Sequence, residues 1–280
     1  MRVLSKLPMV AFAATLFLAF SCQQKAQDTT PQNVVSPEVL AKIKRLGFST
    51  EGVINNNGSY IVERDIMLTE AQLDQGFNNP LLLRAGQEEQ YRTTNVVNSN
   101  GSRVITVYID TRFNSTYVNA LNDAIGRYNA LNLDISFQRV TSSSGADINV
   151  RRLNWFLEFF GVLGSAGFPT NGNPYNEILM NGRLQTSYGY NQAGIATVIA
   201  HEMGHCIGFR HTDYFDRSIS CGGSTNDEGD GGVGAILIPG TPTGASLSAA
   251  SWMLACSGGG DRQFNADDVT ALNWMYKNNF

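Results

Sequence analysis

The sequence predicts a mixed α/β domain, with helices packed on a twisted, mostly parallel sheet, and three observations predict it. From Arg103 onward, runs of β-branched strand pattern alternate with helical pattern, the order that builds such layers. Within residues 115–131, Val118, Leu121, Ile125, Tyr128 and Leu131 share one helical face. Residues 194–207 then read as an apolar helix running straight into a cluster that holds all three histidines of the 280-residue chain.

Taken in order, the chain opens with Arg2 and Lys6 ahead of an apolar run over residues 7–20, the pattern of an export signal and too short for a membrane span. The run ends at Leu18-Ala19-Phe20-Ser21-Cys22, with Gln23, Gln24 and Lys25 after it. This resembles a bacterial lipoprotein signal, although that pattern usually has leucine where Ala19 stands. The resemblance implies that residues 1–21 are removed, that Cys22 is lipidated, and that the protein leaves the cytoplasm, where disulfides are permitted. It would sit on the outer membrane or cell surface through that lipid alone, or be secreted. Residues 22–100 are expected to be a polar tether followed by a propeptide or accessory region. Within them, residues 39–46 suit a short helix, Asn55-Asn56-Asn57-Gly58 a turn, Tyr60-Ile61-Val62 a strand, and residues 69–73 a helix start.

Residues 101–280 form the main domain. Strands are expected at 104–109, 135–140 and 147–151, and again at Glu177-Ile178-Leu179-Met180. Residues 155–163 suit a short helix or a loop over the sheet, and residues 212–260 are glycine-rich with little regular pattern. Asn265 is a good N-cap, Asp267 and Asp268 favour a helix start, and Val269, Leu272 and Tyr276 share a face, so the chain closes on a helix. A net charge of −4 argues against a nucleic-acid partner.

The chemistry lies in His201-Glu202-Met203-Gly204-His205-Cys206-Ile207-Gly208-Phe209-Arg210-His211. Two histidines four apart share a helical face, Gly208 stops the helix, and His211 returns from the turn. Three imidazoles and one open position describe a catalytic zinc site, Zn2+ being held by His201, His205 and His211. Glu202 is not needed to hold a metal. Beside His201 it can take a proton from a metal-bound water, as a catalytic general base.

This HExxHxxGxxH pattern resembles the metzincin zinc peptidases, and Ser251-Trp252-Met253 resembles their Met-turn, with Met253 as the floor beneath the metal. The closest likeness is to the bacterial dual-action HEIGH metallopeptidases, on residues 201–213, Pro239-Gly240-Thr241-Pro242 and Ser251-Trp252-Met253-Leu254, with Met203 where that name has isoleucine. The resemblance implies an exported zinc endopeptidase acting on polypeptides, expected to be monomeric. It also implies that Glu177, Ile178, Leu179 and Met180 form the sheet edge on which an extended substrate pairs. Ala255 stands where astacin-like relatives carry an extra tyrosine ligand, so a tyrosine switch is not implied. The alternative is an inactive surface lipoprotein of the same fold that binds peptide or glycan.

Other residues leave choices open. Asp213 either bonds a ligand imidazole or caps the turn. The stretch Asn226-Asp227-Glu228-Gly229-Asp230-Gly231-Gly232 has oxygens for Ca2+ but not the spacing of a calcium loop, and reads as a solvated acidic loop. Cys221 with Cys256 would clip the glycine-rich stretch to the Met-turn, with Cys206 an alternative partner for either. No cysteine lies between Gln23 and His201, so latency from the N-terminal region would need a carboxylate or steric cover.

Overall fold

The computed structural model describes residues 34–75, 90–229, 233–242 and 250–277, all within the compact unit Asn33–Phe280. The export signal, Cys22 and the glycines at 231–232 lie outside the described residues. No helix among the described residues is long and apolar enough to cross a membrane.

The strands are β1 (Ile54–Asn56), β2 (Ser59–Val62), β3 (Ile66–Thr69), β4 (Tyr91–Arg92), β5 (Arg103–Ile109), β6 (Ile135–Val140), β7 (Ile148–Arg152), β8 (Gly164–Ala166), β9 (Glu177–Met180) and β10 (Ile236–Leu237). The helices are α1 (Pro37–Arg45), α2 (Glu70–Gln75), α3 (Ser115–Asn129), α4 (Trp155–Phe159), α5 (Leu184–Ser187), α6 (Gln192–Ile207), α7 (Ser218–Cys221) and α8 (Ala266–Tyr276). Eight strands make one mixed sheet in the order β1-β2-β3-β8-β9-β7-β5-β6. β5 pairs parallel with β6 and β7, and β7 parallel with β9. β8 runs antiparallel to β9, and the other flank of β8 meets β3 in parallel through Ile66 and Ala166. β4 and β10 form a separate antiparallel pair.

The expected strand at Glu177, Ile178, Leu179 and Met180 forms, but it is not an edge. It lies between β7 and β8, so both rows of its backbone groups are engaged. The reason is local: the chain from 164 to 166 folds back antiparallel along it. Gly164-Ser165-Ala166 carries no alternating apolar pattern from which a strand is read.

Helix α6 packs on α3 and on the β8–β9 side of the sheet. Asn191 caps it through Gly194 N–H, and from Gly194 to Ile207 every residue is buried, as expected of a helix apolar on all faces. Gly208 ends it in the left-handed conformation (φ 112°, ψ 10°), donating to the carbonyls of Gly204 and His205. Tyr276 of α8 donates its hydroxyl to the Ile207 carbonyl, and Tyr128 of α3 donates to that of Ala200 (2.7 Å). Thus the two flanking helices fasten the metal-motif helix directly. On the far side, Thr93 N–H donates to Gly208 O (2.8 Å) and Arg210 N–H to Tyr91 O (2.9 Å). The 91–93 segment therefore braces the turn that follows α6.

Helix α8 begins with a capping box between Asn265 and Asp268. Asp268 also accepts from Trp252 N–H (3.3 Å) and from the Gln90 amide, tying the helix start to the 251–253 turn. Burial pushes its carboxyl up to about 6, against the donors that favour the ion. The folded chain keeps a proton that the unfolded chain releases near pH 4. Asp268 thus favours the native state most below that pH, and this contribution is lost as pH rises through about 6. The full swing is on the order of 3 kcal/mol. Urea midpoints from pH 4 to 7 should show this downward component in wild type, and Asp268→Asn should remove it.

Candidate metal centre

His201 and His205 stand one turn apart on α6, and His211 enters from the turn beyond Gly208. Their Nε2 atoms converge: His205 lies 3.1 Å from His201 and 3.2 Å from His211. All three rings are buried. Each Nδ1 is held by a fixed acceptor: His201 donates to Trp252 O (2.8 Å), His205 to Phe209 O (2.9 Å) and His211 to Glu228 Oε1 (2.6 Å). Since a backbone carbonyl and an ionised carboxylate can only accept, the Nδ1 atoms carry the protons and the Nε2 lone pairs that would bind a metal face one another. Lone pairs at such separations require a cation between them. Tetrahedral bonds of 2.0–2.1 Å would place ligand nitrogens about 3.3 Å apart, so the donor set fits a zinc-sized ion. Burial, with the neighbouring imidazoles, holds the His205 pKa well below its usual value. Burial opposes charge on His211 too, but the Asp65 and Glu228 carboxylates outweigh it and raise its pKa.

The turn at 251–253 presses on this helix from below. Met253 is fully buried, and its carbonyl accepts Thr212 N–H (2.8 Å), while Ser251 Oγ accepts Met253 N–H (3.1 Å) and contacts Thr212 Oγ1 (2.9 Å). The approach is close enough that a Cβ on Gly204 would meet Met253 Sδ at 2.5 Å and Trp252 Nε1 at 3.2 Å. Here is the physical reason for glycine between Met203 and His205, which periodicity alone does not supply.

Glu202 is buried beside His201, and its Oε2 has no hydrogen-bond partner among the described residues. Burial, then the charge of Asp65, raises its pKa well above the carboxylate norm, with His211 opposing. Its side chain lies over β8 so closely that a Cβ on Gly164 would fall 2.8 Å from the Glu202 carboxyl carbon. A cleft of about 220 Å³ opens here, lined by Leu163, Gly164, Val198, Glu202, Leu254 and Arg262 among others.

Two carboxylates not read from sequence complete the centre. Glu228 is fully buried, not solvated as the acidic composition of its loop suggests. Besides His211 it meets Arg217 Nε (3.0 Å) and Arg210 (3.5 Å); burial opposes its charge, but His211 foremost, then Arg210 and Arg217, lower its pKa. Its backbone N–H is pinned to Tyr214 O (2.8 Å). Asp213, by contrast, takes the turn role: it accepts Ala255 N–H (2.9 Å) and Ser220 Oγ–H (2.6 Å). Cys221 is bonded to Cys256, closing the same loop, and Cys206 is free and buried on α6.

Asp65 is the second. It projects from the tip of the β2–β3 hairpin, with Oδ2 3.1 Å from His211 Nε2 and 3.8 Å from His201 Nε2. Asp65 and the three histidines form a group whose ligand atoms all lie within 4.8 Å of one another. Burial opposes its charge, yet the imidazoles, His211 foremost, lower its pKa well below the usual range. Neighbouring Glu63 is buried as well, near Glu228; burial first and that charge second raise its pKa. Glu63, His211 and Glu228 could also group around an ion, but Arg210 and Arg217 already neutralise Glu228 there. Glu63 and Arg64 adopt positive φ (55° and 79°), an arrangement costing on the order of 1–3 kcal/mol per residue.

The chain matches the family described as dual-action HEIGH metallo-peptidase over residues 60–276. Among solved structures it is similar to one titled "Structure of myroilysin", at 14% identity, covering 68% of this chain and all of that one, with a TM-score of 0.43. Another is high choriolytic enzyme 1, a hatching enzyme zinc-protease from the medaka fish Oryzias latipes, at 16% identity, 64% and 92% coverage, and a TM-score of 0.39. Among curated proteins none matches.

Proposed function

Because the chain belongs to the dual-action HEIGH metallopeptidases, we propose that it is an exported zinc endopeptidase whose general base is Glu202. The observation that carries this reading is the convergence of three Nε2 atoms, each with Nδ1 pinned, beside a buried carboxylate with an unpartnered oxygen. When bound, zinc lowers the pKa of a water toward neutrality and polarises a carbonyl. The residues do the rest. Trp252 O, Phe209 O and Glu228 fix the three imidazoles, so no reorientation accompanies the reaction. Glu202, backed by the bare face of Gly164, takes the proton of the attacking water and returns it to the leaving amine. Export is supported by the signal pattern and by the Cys221–Cys256 disulfide, which suits an oxidising compartment.

Gly164 gives a specific test of Glu202's placement. Alanine there would drive its Cβ into the Glu202 carboxyl. The Gly164→Ala enzyme should bind zinc as wild type does, yet lose about 10²-fold in kcat, the usual scale for a misplaced catalytic group. Metal content and steady-state kinetics on one preparation decide it.

The reading as a whole is tested by removing metal with 1,10-phenanthroline and restoring one equivalent of zinc, using wild type and Asp65→Asn against a broad peptide library. Cleavage that disappears and returns with zinc in either protein is the expected result. Zinc bound by both with cleavage by neither would favour a binding protein of the same fold.

A further inference from the structure

The geometry points to Asp65 as a fourth protein ligand of the metal centre, supplied by the chain's own β2–β3 hairpin. The chain as folded is thus a closed, latent form of the peptidase. This rests on the zinc reading above and adds its regulation.

Three independent features carry it. The first is the ligand set: Asp65 Oδ2 lies 3.1 and 3.8 Å from two of the Nε2 atoms, about one tetrahedral edge away, in the position a catalytic water needs. An open position is what separates catalytic from structural zinc sites, and a carboxylate there closes it.

The second is the sheet. β8 is the antiparallel strand beyond β9, and its outer row of backbone groups would be an edge open to an extended peptide. That row is taken. Ala166 N–H donates to Asp65 O (2.8 Å), and Ile66 pairs with Ala166 in parallel. One segment thus covers both the metal and the strand beside it.

The third is how the tip is held. Val62 pairs with Ile66, leaving only Glu63, Arg64 and Asp65 to turn the chain, two of them at positive φ. Ser49 N–H donates to Glu63 Oε1 (3.2 Å), and Glu63 lies against the Glu228 pair that orients His211. Both faces of the hairpin are buried: Val62, Ile66 and Leu68 with Phe168 on one side, Ile61 and Met67 with Leu153 and Leu179 on the other. Phe168 in turn meets the His205 ring edge-on. These buried contacts hold the two strands of the hairpin on the sheet, while its strained three-residue tip is fastened over the centre by Asp65, so that loss of this carboxylate frees the tip without unfolding the strands. The latency is a carboxylate device, in keeping with the lack of any cysteine between Gln23 and His201.

The full chain loaded with cobalt(II) tests this by visible absorption, with acetohydroxamate as an exogenous ligand. Wild type should show bands that acetohydroxamate barely moves. Asp65→Asn should show altered bands, a clear response, and about tenfold weaker retention of metal against a chelator. Its peptide cleavage should exceed wild type at least about tenfold. Asp74→Asn, an exposed carboxylate of α2 paired with Lys42, serves as control and should match wild type. Identical bands and hydroxamate response in wild type and Asp65→Asn overturn the proposal. Should Asp65→Asn fail to fold, wild type decides: bands shifted by millimolar acetohydroxamate mean an open centre and overturn it, while silence supports it. If the bands differ as expected but neither protein cleaves peptide, the ligand assignment stands and the peptidase reading fails.

Discussion

Replacing Glu202 with glutamine leaves the chain folded and loaded with one zinc but lowers peptide cleavage by about 10²–10⁴-fold, the range for losing a general base. Glutamine keeps the volume that fits over Gly164, so the packing against β8 is preserved. It forfeits only the ability to take up a proton. The position is suited to that role: the carboxylate is buried, and one oxygen has no partner among the described residues. The comparison is made in a background freed of Asp65, with melting temperature and metal content measured alongside. If Glu202→Gln retained activity within a few-fold of its parent, proton transfer would have to be assigned elsewhere.

The second large effect is expected at Glu228. Its replacement by alanine takes away the acceptor that holds His211 Nδ1 and the carboxylate that neutralises two buried guanidiniums, Arg210 and Arg217. Breaking a buried ion pair on one side costs about 3–5 kcal/mol, and losing a partner behind a metal-binding histidine costs about 10–100-fold in metal affinity. Both should be visible, as a lower urea midpoint and as earlier zinc loss to a chelator. Glu228→Gln separates the two contributions. It retains an oxygen for His211 but removes the charge, so stability should fall while metal affinity is largely kept. Unchanged affinity in the alanine variant would mean that the Trp252 and Phe209 carbonyls orient the site without help.

Why these residues differ in legibility follows from where their constraints originate. His201, Glu202, His205, Gly208 and His211 are spaced by one helix and its cap, so local geometry is written into eleven consecutive residues. The parallel strands β5, β6, β7 and β9 show for a similar reason: each carries apolar, mostly β-branched or aliphatic residues in a strand pattern of its own. Glu228 does not show, because it sits in a glycine-rich, acidic segment whose burial is imposed by Arg210, Arg217 and His211 from elsewhere. β8 is hidden since Glu202 demands a glycine just where a strand would normally show a side chain. The edge role that the family resemblance implies for β9 is one that topology denies it, because β8 lies beyond it. Asp65 is harder still. It is an ordinary turn aspartate until the hairpin lands on three histidines more than 130 residues downstream.

The central claim, a zinc ion held by His201, His205 and His211, is tested most directly by anomalous diffraction at the zinc edge from crystals of the full chain. The account predicts one strong peak about 2.0–2.2 Å from each of the three Nε2 atoms. A zinc-replete crystal with no peak among those imidazoles, or with its only peak on other side chains, would contradict it.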